Sequence, residues 1–527
     1  MKKILIADKI NSACSEYLRT NFFDVDIKTG LSREELKNII NQYHALIIRH
    51  ETTVDEEILQ HANNLEVIGK AGASVDQIDV DEATKRGIVV MNTPGGNTIS
   101  AAELTFSMIL ALSRKIPAAD KLMKSGIWNR KSLSGIELHG KVLGIVGLGN
   151  VGKEVAKKAA AFEMNVIAYD PNISKILAYE LGIELVDFEE LLGRSDIISI
   201  HAPINEKTRN LFNQQSFSKC KTGVRIINCA QGGIINEADL LVALNSGKVS
   251  GAALDVFEKE PSDNMELIQH PNVVCTPHLG ASTEDAQEKV ARQIASQISD
   301  FFAGNPSLGI VNAAAIQFLN NPEIKPYLSL AEKIGKLQSY FITSKPISLD
   351  IVIYGSKIHK YYEVISSAYF KGYFQKSFGD KINFVNSNFY AKENLITVNY
   401  DFKDRTQNYS NLISFQLNTS SKKSIISGSV FFNLNPRIVH IDEYEVEFIP
   451  SGKLIIYFNE DTSGILSNVT TILANNKINI AGLYLGRNQR GSNALTIMST
   501  DEYVSDRIIE QIKNVKGILN LFALEII

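Results

Sequence analysis

The sequence predicts an α/β protein: two doubly wound parallel-sheet domains, a mixed α/β region after them, and a small βαββαβ unit at the end. Three observations predict it. Strand and helix patterns alternate over the first 300 residues, and repeated βα units build parallel sheets with helices on both faces. Within that run, Lys141–Asp170 reads KVLGIVGLGNVGKEVAKKAAAFEMNVIAYD: strand, glycine turn, helix, strand, acid. From residue 451 onward two short helical patterns sit among four apolar strand patterns.

Candidate strands at Lys3–Ala7, Val25–Lys28, Ala45–Arg49, Val67–Lys70 and Ile88–Met91 are separated by helical patterns at Asn11–Thr20, Ser32–Asn41, Asp55–His61 and Asp79–Arg86. The opening MKKILIAD imitates a secretory leader, but Asp8 and Lys9 end the apolar run early, so a first strand is the reading. A long helix runs from Thr98 through SAAELTFSMILALSRK. Asn97, Thr98 and Ser100 are its cap candidates, and its apolar density predicts burial on most sides. It bridges into the second domain.

There, Val142–Val146 is an apolar run long enough for a buried parallel strand. Gly147, Gly149 and Gly152 follow at G-x-G-x-x-G spacing. Gly147 permits the tight turn, Gly149 lets a pyrophosphate approach the backbone, and Gly152 lets the helix pack on the strand. The helix Asn150–Phe162 points free N–H groups at that phosphate. Val166–Tyr169 is the next strand, and Asp170 closes it where a ribose hydroxyl would be held. A glycine turn that only packs would not explain that acid.

Further strands at Ile197–His201, Val224–Asn228, Gly251–Val256 and Val273–Thr276 end in polar or small residues: His201-Ala202-Pro203, Asn228 to Gly233, Asp255, and Pro277-His278-Leu279-Gly280. Ligands of open α/β sheets bind beyond the carboxyl ends of strands, so these ends point at one crevice. A helix after Ser282 opens with a capping-box pattern, Ser282 with Asp285, and Gly304, Asn305 and Pro306 end it. Asn321-Pro322 and Lys325-Pro326 mark a linker. A helix over Leu328–Phe341 and β-rich runs at Ser348–Tyr354, Leu395–Tyr400 and Ser427–Phe432 then suggest a solvated spacer. The tail reads Lys453–Asn459 strand, Gly464–Ala474 helix, Lys477–Gly486 and Asn493–Thr500 strands, Ser505–Asn514 helix and Ile518–Glu525 strand, the ferredoxin-like order.

A net charge of −4 argues against nucleic acid or an anionic membrane surface as partner. Four scattered cysteines without a C-x-x-C pair are neither a disulfide framework nor a zinc site, which suits a reducing cytoplasm, and no metal is expected. No stretch is long and apolar enough to span a membrane.

The runs GKAGASVDQIDVDEATKRGIVVMNTP, NTISAAELTFSMILALSRKIP, GIVGLGNVGKEVA, VRIINCAQGGIINEADL, AALDVFEKEP and PHLGAST resemble the NAD-dependent D-2-hydroxyacid dehydrogenases. The tail resembles an ACT domain, the small ligand-binding module of amino-acid metabolism, as in the long type of that family. The resemblance covers nearly the whole chain and is strongest over residues 66–315. It implies a substrate-binding domain of residues 1–97 and 290–312, an inserted NAD-binding Rossmann domain of 98–289, an intervening domain of 313–450 and an ACT domain of 451–527. It further implies oxidation of D-3-phosphoglycerate to 3-phosphohydroxypyruvate with NAD, at the head of L-serine synthesis, by a cytoplasmic homo-oligomer, dimer or tetramer, with L-serine as effector.

Site residues follow from the same resemblance. His278 would be the acid/base and Glu260 its hydrogen-bonded partner. Asn150 and Val151 would add turn N–H groups to the three glycines, and Asp170 would take the adenosine ribose. Ala202, Cys229, Asp255, His278 and Gly280 would line the crevice. Arg49, Lys70 and Arg130 stand at basic substrate-facing positions, and the Gly72 and Ala73 backbone could meet the carboxylate. Asp461 and Asn479 would bind serine between two tails paired edge to edge. Two positions depart from the family: Gln231 where it has a substrate-gripping arginine, and Ser463 where it usually has proline. Gln231 keeps two other readings open: a dehydrogenase for another 2-hydroxy acid (a hydroxypyruvate, glyoxylate or 2-oxoglutarate reductase), or a non-catalytic regulator that binds NAD and an amino acid.

Overall fold

In the computed structural model, which describes residues 1–404, 408–431 and 435–526, four sheets follow one another along the chain. The first is parallel, with β1 (Lys3–Ile6), β2 (Asp24–Ile27), β3 (Ala45–Ile48), β4 (Val67–Lys70) and β5 (Val89–Asn92) in the order β2-β1-β3-β4-β5. β3 and β4 are buried along their whole length, as strands covered on both faces must be. One cover comes from far along the chain. A Cβ on Gly69 would lie 2.8 Å from Ile294 and Ile298 of the helix Glu284–Ala303, so β4 meets that helix closely.

The second sheet has seven parallel strands: β6 (Val142–Val146), β7 (Asn165–Tyr169), β8 (Glu184–Leu185), β9 (Ile197–Ile200), β10 (Val224–Asn228), β11 (Val249–Leu254) and β12 (Val273–Cys275). Their order, β12-β11-β10-β9-β6-β7-β8, reverses between β6 and β9, and such a switch point opens a crevice at the carboxyl ends. The limits of every expected strand of these two sheets fall within two residues, and the two-residue β8 was not expected. Two other details differ. The long helix opens at Glu284 under Thr283, whose hydroxyl accepts from the Ala286 amide, so Thr283 and not Ser282 is the cap. A helix over Ile116–Lys124, with proline in its first turn, follows the bridge helix Thr98–Ser113 and was not foreseen.

The third sheet is mixed. β13 (Pro346–Tyr354) pairs in parallel with β14 (Thr397–Lys403), and β15 (Leu412–Thr419), β16 (Lys423–Phe431), β17 (Asn435–Ile441) and β18 (Tyr444–Phe448) continue antiparallel. The strand expected over Ser427–Phe432 ends on a residue outside the described ones. Two helices, Lys325–Phe341 and Tyr362–Phe378, lie on this sheet, and the second was not expected. They cross where a Cβ on Gly335 or Gly372 would run into the other helix's backbone, 2.0 Å from Tyr369 O and 1.8 Å from Glu332 O. Buried Tyr369, Phe370 and Phe415 make this region a packed core and not a solvated spacer.

The fourth sheet is antiparallel in the order β20-β21-β19-β22, from β19 (Gly452–Glu460), β20 (Ile480–Arg487), β21 (Asn493–Thr500) and β22 (Ile518–Ile526). The helices Ile465–Asn475 and Asp506–Lys513 cover one face through Val469, Leu473 and Ile512. The other face, with Leu454, Ile456, Leu495 and Ile497, joins the third sheet's core. Among the described residues no helix is long and apolar enough to cross a membrane.

Candidate active site

The crevice between the first two sheets holds a cavity of about 410 Å³, lined by Arg49, His50, Lys70, Gly72, Ala73, Cys229, Gln231, Glu260, His278 and Gly280 among others. On the first-sheet side, each contribution is a strand end. Lys70 closes β4. The loop after it is tied down from the end of β5: the Asn92 amide donates to Ala73 O at 2.6 Å, and the Thr93 N–H to Gly72 O at 2.9 Å. Arg49 and His50 follow β3, and Asp8, buried after β1, holds that turn by accepting from the Arg49, Glu51 and Thr52 amides.

Lys70 is 2 % exposed, yet none of the ion pairs or side-chain hydrogen bonds among the described residues engages its ammonium. Burial draws its pKa down to about 8, against the upward pull of Asp8 and Asp76. The buried cation lacks a partner, so the cavity is prepared for an anion. His50 is drawn down to about 4 by desolvation, with Lys70, Arg49 and His278 pushing the same way, so at neutral pH it faces the cavity uncharged. The sequence reading left out His50 and Asp8, since Arg49 and Lys70 came to it from the family's pattern and not from their strand ends.

From the second sheet comes His278, held at φ +55° in the left-handed region. A non-glycine residue stays there only when its surroundings insist. Asp255, wholly buried, supplies the insistence. Its carboxylate accepts from the Thr276 hydroxyl at 2.6 Å and from the Leu279 and Gly280 amides at 2.7 and 2.9 Å, and its carbonyl accepts from the His278 amide at 2.9 Å. Asp255 therefore stands beneath the crevice as the clamp of the His278 loop, not as an open wall. His278 Nδ1 lies 2.7 Å from Glu260 Oε2. A carboxylate only accepts, so Nδ1 carries the hydrogen and Nε2 is left free toward the cavity. Glu260 is itself oriented by the Phe257 amide at 3.0 Å. Gln231 receives the Asn228 amide on its backbone carbonyl at 2.9 Å, while its half-buried carboxamide has no partner among the hydrogen bonds of the described residues.

The glycine turn behaves as its spacing requires. Gly147 has φ +96°, and a Cβ there would lie 2.7 Å from the His201 carbonyl and 2.9 Å from the Ala202 nitrogen. On Gly152 it would lie 2.2 Å from Gly147 O, whereas on Gly149 it would meet nothing within 4 Å. Two glycines are thus closed by packing, and the third opens outward, the cradle a pyrophosphate needs. Asp170 accepts from the Leu148 and Asn172 amides, both at 2.8 Å, which fixes its carboxylate beside that turn. Exposed Asn150 reaches toward the loop at Gly95, and Val151 packs under its own helix. Burial pushes the Cys229 thiol up to about 12, so it is no thiolate. These residues fit NAD, whose nicotinamide end would lie toward His278. Arg130 is not brought to the crevice; it stands exposed at the start of a 3₁₀ turn, Lys131–Leu133.

Asp461 and Asn479 are held locally. Asp461 accepts from the Gly491 amide at 2.9 Å and from Arg487 at 3.3 Å, and its pKa is lowered, first by that amide. The Asn479 amide group donates to Asp501 at 2.6 Å. The two residues lie near opposite ends of β20, about 25 Å apart at the rise of a strand.

Comparison with known proteins agrees with this geometry. The profile of the D-isomer specific 2-hydroxyacid dehydrogenase NAD-binding domain matches residues 106–280, the D-3-phosphoglycerate dehydrogenase intervening domain matches 323–442, and the AHAS small subunit-like ACT domain matches 455–520. The D-3-phosphoglycerate dehydrogenase of Archaeoglobus fulgidus is 41 % identical over 99 % of this chain and 100 % of its own length. That of Bacillus subtilis is 38 % identical over 99 % of both. Among solved structures, the TT0316 protein from Thermus thermophilus superposes with a TM-score of 0.55 at 30 % identity, covering 59 % of this chain and 99 % of that one. D-Lactate dehydrogenase from Aquifex aeolicus, complexed with NAD and lactic acid, gives 0.52 at 28 % identity, covering 57 % and 96 %.

Proposed function

The chain belongs to the D-3-phosphoglycerate dehydrogenase family of D-2-hydroxyacid dehydrogenases, and from that premise we propose that it oxidises D-3-phosphoglycerate at C2 to 3-phosphohydroxypyruvate, with His278 as the acid/base. The observation that carries the reading is the His278–Glu260 pair, 2.7 Å apart, facing a buried, unpaired Lys70 across one cavity. Bound NAD supplies the hydride acceptor. His278 Nε2 takes the C2 hydroxyl proton as the hydride leaves, and Glu260 steadies the imidazolium that results. Lys70, Arg49 and the Gly72–Ala73 backbone hold the substrate's anionic groups. Gln231 offers an uncharged donor where its relatives' arginine would grip. The Asp255 clamp keeps the Nε2 aim, and the glycine turn with Asp170 fixes the other end of the cofactor.

We assign residues 1–97 with 290–312 to substrate binding, 98–289 to NAD, 313–450 to the intervening unit and 451–527 to the ACT unit. The same reading makes the chain a cytoplasmic homo-oligomer that heads L-serine synthesis and takes L-serine as effector. In it, two β20 edges pair antiparallel so that Asp461 of one chain approaches Asn479 of the other. Support comes from β20 being an end strand, with Leu483 and Leu485 exposed along it.

The test is NADH oxidation by the full chain over a panel of 2-oxo acids. Phosphohydroxypyruvate is expected to give the highest kcat/KM, above hydroxypyruvate, glyoxylate and 2-oxoglutarate. A higher value for any unphosphorylated acid would discard the phosphate-holding role of Lys70 and Arg49.

A further inference from the structure

A second cavity, about 970 Å³ in volume, lies at the opposite end of the second sheet from the crevice. Arg225, Ser250 and Val273 place it against the amino-terminal halves of β10, β11 and β12. Its outer wall is the end of the helix Thr98–Ser113 and the helix Ile116–Lys124. The first of these helices begins at the catalytic crevice, so the two cavities are separated by about 24 Å, its length at 1.5 Å per residue.

The lining is one-signed. It contains Lys115, Lys121, Arg225 and His270, and no Asp or Glu. Exposed Lys121 alone would be an ordinary solvated charge. Arg225 is different: it is half-buried, and none of the hydrogen bonds or ion pairs among the described residues engages its guanidinium. The acid that acts on it, Asp196, is committed elsewhere, accepting from the Val142 amide at 2.8 Å and pairing with Lys221 at 3.0 Å. Burial accordingly lowers the Arg225 pKa. Ser113 belongs to the sealed part of the wall. It lines the same cavity, is 1 % exposed, and its Oγ has no hydrogen-bond partner. Lys115 gives its ammonium to Ser132 O at 3.2 Å and keeps donors to spare.

We propose that this cavity binds a small multivalent anion bearing phosphate or carboxylate groups. Arg225 is its inner contact, and Lys115 and Lys121 stand around it. A planar guanidinium matches both groups in bidentate fashion, and the volume is that of a small-molecule site. The proposal does not depend on the reaction assigned to the crevice.

Calorimetry on the full chain with NADH saturating, which fills the glycine turn, tests it with two probes, inorganic pyrophosphate and citrate. Saturable heat is expected from at least one, and the tighter of the two tells phosphate from carboxylate. Arg225→Gln is expected to weaken that binding tenfold or more, the usual effect of losing a charge-assisted contact. Exposed Lys121→Gln, which leaves the fold alone, is expected to weaken it several-fold. Absence of heat from both probes at millimolar concentration overturns the proposal. So does wild-type affinity in Lys121→Gln together with a folded Arg225→Gln, because the anion would then be sitting in the substrate crevice.

Discussion

The chemistry of the site turns on a few side chains whose states are set by their neighbours. His278 has one nitrogen tied to Glu260 at 2.7 Å and no partner on the other among the described residues, and in the proposed reaction it moves a proton and does little to bind the cofactor. His278→Ala is expected to lower kcat by about 10²–10⁴-fold while NADH affinity, read by fluorescence titration, stays within twofold; a variant above a tenth of wild-type rate would remove the role. Lys70 brings a pH dependence with a definite sign. Its pKa stands at about 8 before substrate binds, so the ammonium is present below that value and is lost as pH rises through it. KM for 3-phosphoglycerate is expected to climb above pH 8, by at most about tenfold per unit for a single titration, and Lys70→Met should flatten that limb at a high KM. Gln231 offers a free, uncharged carboxamide to the same cavity. Gln231→Arg adds a charge-assisted contact worth about 1.5–3 kcal/mol, so KM for phosphohydroxypyruvate should fall roughly tenfold or more, and values unchanged within twofold would mean that position 231 does not touch substrate.

At the scale of elements, the βα alternation and the glycine turn were legible because their signals are local: apolar runs, glycines at fixed spacing, an acid closing a strand. The candidate site was legible where a strand end carries its own chemistry, as at Gln231 and His278, while Lys70 entered only through the resemblance. Asp8 and the clamping role of Asp255 were not, because their partners lie in other parts of the chain; Asp255 acts on residues 276–280 and Asp8 on residues 49–52. Arg130, carried over from the family's pattern, lies on an exposed turn away from the crevice. The helix Tyr362–Phe378 escaped notice because it is buried on most faces, so no one-sided 3.6-residue stripe announces it. Phe341 shows how firmly this region is built. It is 5 % exposed at the end of the helix Lys325–Phe341, and its ring meets Phe522 of β22 at 4.8 Å and Phe458 of β19 at 6.1 Å. Phe341→Ala is expected to cost about 3–5 kcal/mol, and in thermal unfolding the third and fourth sheets should lose structure in one transition. Separate melting of the tail in the wild type would show that the shared core does not couple them.

At the scale of the whole molecule, the tail is where the proposed pairing of two chains would be made. Its sheet uses one face for its own helices and the other for the third sheet's core, and its two outer strands are β20 and β22. Asp461 and Asn479 stand near the two ends of β20, too far apart in one chain to hold one amino acid between them. An antiparallel pairing of two β20 edges brings the ends together crosswise and makes two equivalent sites, as twofold symmetry requires. A carboxylate from one chain then faces the serine ammonium, and an amide from the other can donate to its carboxylate. The local bonds supply a competing account: Asp461 already receives the Gly491 amide and Arg487, and Asn479 already donates to Asp501. The two accounts part on measurement. If serine bridges the chains, Asp461→Ala and Asn479→Ala each abolish inhibition by L-serine and its binding heat, leave the uninhibited rate within twofold, and weaken neither variant's fold. If the residues serve only their turns, both variants melt earlier and respond to serine as the wild type does. Wild-type chain that gives no heat and no loss of rate with millimolar L-serine would dismiss serine as the effector and leave the tail as an assembly module or a sensor for another amino acid.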